Sequence, residues 1–242
     1  MGYFESRVPI DINDYENTVK KLRFLEKLNF KKIILEPLKV EKISKNLKDK
    51  LRKEVDIDLY FRINLKPNSA SDLKKIISKY NQFPDILSVE STNKEVQLFS
   101  ARDTRIDIIS FSNIDVTKTL TPGVISLSKQ YNSFIEFSFN PMFTENKFAQ
   151  SKNIHFIISA VNLALANKAN YIISGNFSNI YDYRSPKVLL SFCQTLLDMP
   201  LPKAKLALRD NPEKLIEKIE RRNDPNFIEE GVRLINSEKG GR

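Results

Sequence analysis

Residues 162–176 have the sequence NLALANKANYIISGN, which contains the end of a helix, a polar turn and a short apolar run. The apolar residues leading into this segment recur at helical spacing, at Ile154, Ile157, Ile158, Val161 and Leu165. Residues 171–174 then form an apolar run of strand length that ends at a glycine. A helix followed closely by a buried strand is typical of a parallel sheet. This segment therefore predicts an α/β fold.

Six further apolar runs repeat this pattern along the chain. The other candidate strands are residues 3–8, 32–36, 57–65, 86–90, 106–111 and 134–139. Successive strands start roughly 20 to 37 residues apart, which leaves room for a crossover helix between parallel neighbours. We therefore predict a TIM-like (β/α) barrel of about seven strands, and an open doubly wound sheet is the alternative.

The strand pattern stops after Met199. Residues 202–209 and 212–222 have the pattern of two additional helices, and the residues that follow are mostly polar. No low-complexity linker divides the chain, and no internal repeat exists beyond the βα unit. The sequence predicts a single barrel domain over residues 1–222 and a polar C-terminal extension over residues 223–242.

The chain carries an excess of basic residues. It has 39 Lys+Arg against 30 Asp+Glu, a net charge of +9 at pH 7 and a pI of about 9.4. Such a balance favours polyanionic partners, either nucleic acid or a membrane surface. No apolar run of roughly 18 residues could span a membrane, and the N-terminus has no signal-peptide core. With one cysteine and no disulfide framework, we expect a cytoplasmic protein.

Several classes of active site are excluded because the required residue types are missing. His155 is the only histidine, so a histidine cluster of the kind that binds catalytic zinc cannot form. Of the six glycines, only Gly123 and Gly175 lie away from the two ends, so a glycine-rich phosphate loop is also excluded. We predict that His155 is structural or lies on the surface and that Cys193 is a small core residue.

Four residues near strand ends leave an enzyme as an alternative. Glu36, Glu90 and Glu136 offer the carboxylate oxygens that Mg²⁺ prefers. Lys66 offers an amine for Schiff-base chemistry. However, neither a phosphate loop nor a paired acid and base accompanies them. We therefore predict that the chain has no catalytic residue, no metal ligand and no bound cofactor.

Basic residues at strand ends and turns are the stronger candidates for a functional site. A guanidinium group binds phosphate through two hydrogen bonds and stacks on bases, so a set of such residues suits RNA. The predicted RNA contacts are Arg62, Lys66, Arg102, Arg105, Lys168, Arg184 and Lys187. The lysines of a predicted helix over residues 39–54 lie opposite an apolar stripe that begins at Val40, and they are better explained as a solvated face.

Arg184 lies directly before a predicted helix start. Ser185 is a favoured N-cap residue and Pro186 is favoured at the first helical position. The free N–H groups and the positive dipole of a helix N-terminus attract anions, and Arg184 adds a full charge. This end suits an RNA phosphate or an acidic patch of a partner protein, and it does not suit catalysis.

Five segments, taken in order along the chain, resemble one known family. They are RINLKP (62–67), RIDIISF (105–111), NLALANKANYIISGN (162–176), YRSPKVLLSFCQTLLDMP (183–200) and AKLALRDNPEKL (204–215). The family is ribonuclease P protein component 3, the archaeal counterpart of the 30-kDa subunit of eukaryotic ribonuclease P. The resemblance extends over roughly residues 1–220, and its C-terminal part is the most specific.

The resemblance implies a TIM-like barrel related to the PHP-type phosphoesterases that has lost their histidine-rich metal centre. It implies a protein cofactor of ribonuclease P, whose RNA uses Mg²⁺ to remove the 5′ leader of precursor tRNA. The expected partners are the ribonuclease P RNA, precursor tRNA, the small component 2 subunit and the other ribonuclease P proteins. Component 3 is expected to support the catalytic domain of the RNA together with component 2.

The chain departs from the family pattern in two places, and two other functions are alternatives. The loop after Gly175 is longer and more aromatic than is typical of the family, and residues 39–54 are richer in lysine. The alternatives to a ribonuclease P subunit are a stand-alone Mg²⁺-dependent barrel enzyme and a basic module that binds only protein.

Overall fold

The computed structural model describes residues 2–81, 83–225, 227–229 and 232–233. Seven parallel strands form one sheet, and each pairs with the next strand along the chain. They are β1 (Phe4–Ile10), β2 (Lys32–Pro37), β3 (Asp58–Leu65), β4 (Ile86–Val89), β5 (Ile108–Phe111), β6 (Phe134–Ser138) and β7 (Tyr171–Ser174). The order is sequential and β1 approaches β7, so the sheet curls into a barrel. The predicted TIM-like fold is confirmed, and the open doubly wound sheet is wrong.

Helices connect the strands and surround the barrel. They are α1 (Tyr15–Lys27), α2 (Lys45–Arg52), α3 (Ala70–Ile77), α4 (Lys94–Arg102), α5 (Ile114–Thr117), α6 (Pro122–Gln130), α7 (Lys147–Ala166), α8 (Pro186–Thr195), α9 (Leu201–Lys205) and α10 (Asn211–Asn223). A π-helical turn (Leu206–Asp210) joins α9 to α10. Many helices begin after a short polar residue whose side chain accepts a hydrogen bond from the first turn, as Asp14 does from the Asn17 backbone N–H.

The predicted helix over residues 39–54 is shorter in the structure. The side chain of Ser44 accepts a hydrogen bond from the backbone N–H of Leu47, and α2 begins at that point. Val40 therefore lies outside the helix and is 51% exposed, so its assignment to the apolar stripe is wrong. The prediction for Cys193 is confirmed, because the residue is fully buried and burial raises the pKa of its thiol to about 12.

Within the described residues, β1 and β7 are not paired with each other, and no further strand lies between them to close the barrel. The gap is covered by helical chain instead, because the π-helical turn packs against both strands. The buried side chain of Asn211 donates a hydrogen bond of 2.7 Å to the backbone carbonyl of Tyr171 in β7. At the other end of the gap, the backbone N–H of Gly175 donates to the Glu5 carboxyl group at 2.8 Å. Side-chain hydrogen bonds and a helical turn thus replace an eighth strand.

Helix α10 lies across the end of the barrel where the strands begin. Its apolar face packs into a buried cluster contributed by the first residues of the strands; the cluster contains Phe4, Ile34, Ile86, Ile108, Phe134, Ile172, Leu215, Ile216 and Ile219. The far end of the helix is held by Arg222, whose Nη1 donates to Asp107 Oδ1 at 3.0 Å. Because this end is closed by a helix, only the end where the strands finish remains for an open site.

Beyond α10, residues Phe227–Glu229 and Val232–Arg233 form a small antiparallel pair. These strands fall within the polar extension predicted for residues 223–242, whose last residues, 234–242, lie outside the described part of the chain. No helix among the described residues is both long and apolar enough to cross a membrane.

The packing of α10 predicts a large loss of stability when its central apolar side chain is shortened. Ile216→Ala removes a side chain that is 2% exposed, and we expect the free energy of unfolding to fall by about 2–5 kcal/mol. Glu220→Ala on the exposed face of the same helix is the matched control and should change it by less than about 0.5 kcal/mol. Urea unfolding of the full chain measures both. Equal effects of the two variants would contradict the described packing.

Candidate nucleic-acid interface and the barrel interior

The inside of the barrel carries charged side chains. Successive residues of a strand face opposite sides, so every second residue points away from the outer helices. Five charged residues meet across the strands: Arg7, Glu36, Arg62, Glu90 and Glu136, with exposures of 3%, 7%, 0%, 7% and 0%. Charges so completely withdrawn from water are tolerated only when opposite charges and hydrogen bonds compensate them.

Arg62 in β3 reaches across the barrel to β6. Its Nη1 and Nη2 donate to the two carboxylate oxygens of Glu136 at 2.7 and 3.0 Å, which makes a bidentate pair. Nη2 also donates to Ser88 Oγ at 2.9 Å, and Nε lies 2.9 Å from Glu36 Oε2. The prediction that Arg62 contacts RNA is wrong, because its guanidinium group is enclosed in the barrel and paired there with carboxylates.

Arg7 in β1 joins the remaining carboxylates. Its Nη2 donates to Glu36 at 2.8 Å and to Glu90 at 3.2 Å. Its Nη1 donates to Ser110 Oγ at 3.0 Å and lies 3.6 Å from Glu136 Oε2. Burial on its own would lower the pKa of Arg7, but the three carboxylates outweigh burial and raise that pKa above its ordinary value. Arg7 therefore remains charged.

The two arginines keep the central carboxylates ionised. Burial alone would raise the pKa of Glu136, but the charges of Arg62 and Arg7, with hydrogen bonds from Arg62 and Ser110, hold it below the ordinary value. Burial would likewise raise the pKa of Glu90, and Arg7 together with a hydrogen bond from Ser112 lowers it. Such carboxylates are poor proton donors, since their ionised form is the stabilised one.

The alternative in which Glu36, Glu90 and Glu136 hold Mg²⁺ has no support in this geometry. Their oxygens face guanidinium groups, which occupy the positions that a cation would need. Over the described ranges, no group of three or more His, Cys, Asp or Glu residues is arranged to hold a metal ion. Lys66 is exposed to solvent, which differs from the desolvated setting that activates a lysine for Schiff-base chemistry.

The pKa of Glu5 is shifted in the opposite direction from the pKa values of Glu90 and Glu136. It is 1% exposed, and Oε1 accepts hydrogen bonds from the backbone N–H groups of Gly175 at 2.8 Å and Arg7 at 3.4 Å. Burial raises the pKa of Glu5 to about 8, because these hydrogen bonds only partly offset the loss of water and the charge of Glu136 acts in the same direction as burial. Glu5 is therefore mostly protonated at neutral pH.

The six other predicted RNA contacts fall on opposite ends of the barrel. Lys66 follows β3, while Arg184 and Lys187 follow β7, so these three lie at the carboxyl ends of the strands. Arg102 ends α4, Arg105 precedes β5 and Lys168 precedes β7, so these three lie at the end that α10 covers. The structure thus separates the predicted residues into two sets and does not bring all of them to one surface.

One of the six residues already has a carboxylate partner. Arg105 is held by Asp103 at 2.6 Å and donates to Asn81 Oδ1 at 2.9 Å. No carboxylate of the described residues forms an ion pair with Lys66, Arg102, Lys168, Arg184 or Lys187. A cation that already has a close carboxylate partner must give up that partner to bind a phosphate, so Arg105 is the least prepared of the six for RNA.

The loop before α8 is folded tightly onto the barrel. Phe177 and Tyr183 are buried and pack edge to face, with ring centres 5.4 Å apart. A side chain at Gly175 would come within 2.7 Å of the Phe177 ring, so glycine is required for this close approach. Two of the aromatic residues that distinguish this loop, Phe177 and Tyr183, thus form a small local core beside Arg184.

Arg184 itself is held by backbone groups. Nη1 donates to the carbonyls of Tyr181 at 2.5 Å and Tyr183 at 3.0 Å, and the guanidinium lies 5.9 Å from the centre of the Phe143 ring. Ser185 is the N-cap of α8, but its side chain makes no capping hydrogen bond. The first turn of α8 therefore keeps backbone N–H groups without a side-chain cap beside a fixed guanidinium group, an arrangement that suits an anion.

Comparison with known proteins identifies the family. Residues 2–224 match the family model described as RNase P subunit p30. The chain belongs to this family.

Individual relatives are distant in sequence but similar in fold. This p30-family chain is 19% identical over 178 residues to Ribonuclease P protein component 3 of Methanococcoides burtonii, covering 74% of this chain and 73% of that protein. It aligns with a chain of an archaeal Ribonuclease P solved by cryo-EM with mature tRNA at a TM-score of 0.80 and 18% identity, covering 98% and 99%. The phosphotriesterase homology protein of Escherichia coli shares the fold at a TM-score of 0.57 and 10% identity, covering 88% and 98%.

The raised pKa of Glu5 predicts how the stability of this p30-family chain depends on pH. Between the ordinary value of 4.5 and about 8, the folded chain binds a proton at Glu5 that the unfolded chain releases. The free energy of unfolding should therefore fall as pH rises through this window, by up to about 1.4 kcal/mol per pH unit. Glu5→Gln keeps an oxygen to accept the Gly175 hydrogen bond but cannot ionise, so this contribution should disappear.

Urea unfolding of both proteins at several pH values between about 5 and 8 measures this difference. Glu90 and Glu136 have lowered pKa values, so their own contributions are lost only at more acidic pH and do not interfere. Parallel stability curves for the wild-type chain and Glu5→Gln would contradict the assignment of a proton to Glu5.

Proposed function

We propose that this chain is a non-catalytic subunit of ribonuclease P, the enzyme that removes the 5′ leader of precursor tRNA. Membership of the RNase P subunit p30 family supports its place in the enzyme. The observation that carries the non-catalytic role is the barrel interior, where Arg7 and Arg62 neutralise the carboxylates that a hydrolytic site would use. In this proposal the ribonuclease P RNA supplies the catalytic centre and uses Mg²⁺, and the chain binds no cofactor.

We propose further that the chain binds the ribonuclease P RNA through the carboxyl ends of its strands. Lys66, Arg184 and Lys187 lie at this end, and within the described ranges they pair with no carboxylate. Arg184 is prepositioned by two backbone carbonyls beside an uncapped helix N-terminus, so little ordering remains to be done when a phosphate binds. The net charge of +9 adds a long-range attraction for RNA.

The other partners follow from the same role. The cryo-EM relative is a chain of an archaeal Ribonuclease P with mature tRNA. For this chain we propose precursor tRNA, the component 2 subunit and the remaining ribonuclease P proteins as partners, in the cytoplasm. Component 2 and this chain together would support the catalytic domain of the RNA.

The non-catalytic role predicts that the purified chain alone has no nuclease activity. Precursor tRNA incubated with RNA-free protein and Mg²⁺ should remain intact, because Glu36, Glu90 and Glu136 are paired with Arg7 and Arg62. The same preparation should support leader removal once the ribonuclease P RNA and the other protein subunits are added, which controls for correct folding. Mg²⁺-dependent cleavage by the RNA-free chain, persisting through successive purification steps, would reverse the conclusion and favour a stand-alone enzyme.

The proposed RNA face predicts different effects for two variants of similar charge. One variant carries Lys66→Ala, Arg184→Ala and Lys187→Ala. The control variant carries Arg102→Ala, Arg105→Ala and Lys168→Asn at the opposite end; asparagine is chosen because Lys168 has a φ of 53°, a conformation that asparagine tolerates. Each variant loses three positive charges, so a difference between them reports the location of the contacts.

Binding to the ribonuclease P RNA measured over a range of salt concentrations separates the outcomes. Each lost phosphate contact should reduce the log–log salt slope by roughly 0.7–0.9, so the first variant should lose about 2–3 in slope and the control less than about 1. The opposite ranking would move the RNA interface to the α10 end of the barrel. Salt-independent binding of the wild-type chain would favour a module that binds only protein.

A further inference from the structure

A groove lies on the outside of the barrel between α1 and the short turn Ile180–Asp182. It has a volume of about 470 Å³. Its lining residues are Tyr15, Glu16, Val19, Lys20, Arg23, Phe24, Lys27, Ile180 and Tyr181. Five of these nine lining residues, Tyr15, Val19, Phe24, Ile180 and Tyr181, are apolar or aromatic, so the groove is an apolar channel beside α1.

One wall of the groove carries an exposed large apolar side chain. Tyr181, which forms this wall, is 70% exposed. Half-buried apolar side chains, Phe24 and Ile180, line the groove beside it. An exposed apolar side chain beside an apolar channel is typical of a surface that a partner covers.

The rim of the groove carries an excess of positive charge at helical spacing. Lys20, Arg23 and Lys27 recur along the exposed side of α1, and Glu16 is the acidic residue among the lining side chains. Arg23 pairs with Glu54 at 2.8 Å. Lys20 and Lys27 form no ion pair with a carboxylate of the described part of the chain, so both charges are available to a partner.

We infer that this groove, if the chain acts in ribonuclease P as proposed above, is the docking site for a helix of another protein subunit of the enzyme. The helix that fits has apolar side chains on one face and carboxylates beside them, so that the apolar face covers Val19, Phe24 and Ile180 while the carboxylates meet Lys20 and Lys27. A nucleic acid fits less well, because the apolar floor offers neither hydrogen-bond donors for phosphates nor exposed aromatic faces other than Tyr181 for stacking bases.

Charge reversal on the rim tests this inference in the absence of RNA. The variant with Lys20→Glu and Lys27→Glu should bind the mixture of the other purified ribonuclease P proteins at least about tenfold more weakly than the wild-type chain. The control variant with Lys75→Glu and Lys79→Glu changes the same charge at exposed positions away from the groove and should stay within about twofold. Far-ultraviolet circular dichroism and melting temperature establish that both variants are folded.

Acylation of surface lysines in the assembled enzyme provides an independent measurement. Lys20 and Lys27 should lose reactivity when the other proteins are added without RNA, while Lys75 and Lys79 stay reactive. Protection that appears only after RNA is added would overturn the inference in favour of RNA in the groove. Full reactivity in an active, assembled enzyme would overturn the inference and leave the proposed function standing. A chain that fails to enter the active enzyme at all would overturn both.

Discussion

The pairing of Arg7 and Arg62 with three glutamates in the barrel interior is the constraint on which the rest of the structure depends. Removing such charges from water costs several kcal/mol per ion, and only complete pairing offsets this cost. The partners lie on different strands, so the pairing is satisfied only when the strands stand in the observed register. Breaking one pair would leave an uncompensated charge on a residue that is at least 93% buried. The interior therefore specifies the barrel as well as filling it.

The same constraint separates structure from function in this chain. In a catalytic barrel, residues at the carboxyl ends of the strands act on the substrate. Here the arginines and glutamates inside the barrel neutralise each other. The surfaces that we propose for function lie on the outside: the carboxyl ends of the strands, where Arg184 is held by backbone carbonyls, and the groove beside α1. In the proposed function, a fold shared with a phosphotriesterase homologue serves as a scaffold with separate surfaces for RNA and for protein, in keeping with the rule that fold alone does not determine function.

The sequence predicts the positions of the strands, but it does not predict the charged pairs inside the barrel. Apolar runs such as residues 171–174 identify strands because both local propensity and burial favour them. In β3, however, Arg62 and Asn64 alternate with apolar neighbours, and this pattern normally indicates a strand with one face in water. Only closure of the barrel turns that polar face inward, and closure depends on contacts between distant residues. For the same reason, the sequence does not predict that Arg7 and Glu5 lie inside the barrel, because an isolated charge within a strand does not reveal its partner.

The helical closure between β1 and β7 also determines when the barrel can close during synthesis of the chain. Phe4 in β1 belongs to the same buried cluster as Leu215 and Ile216 of α10. The end of β1 therefore stays uncovered until nearly the whole chain has left the ribosome. At 5–20 residues per second, this interval is on the order of 10–40 s. Throughout it, one edge of the nascent sheet stays open and the apolar ends of its strands stay uncovered. The chain is thus most prone to aggregation before α10 emerges, when a chaperone or an early-binding partner would protect it most.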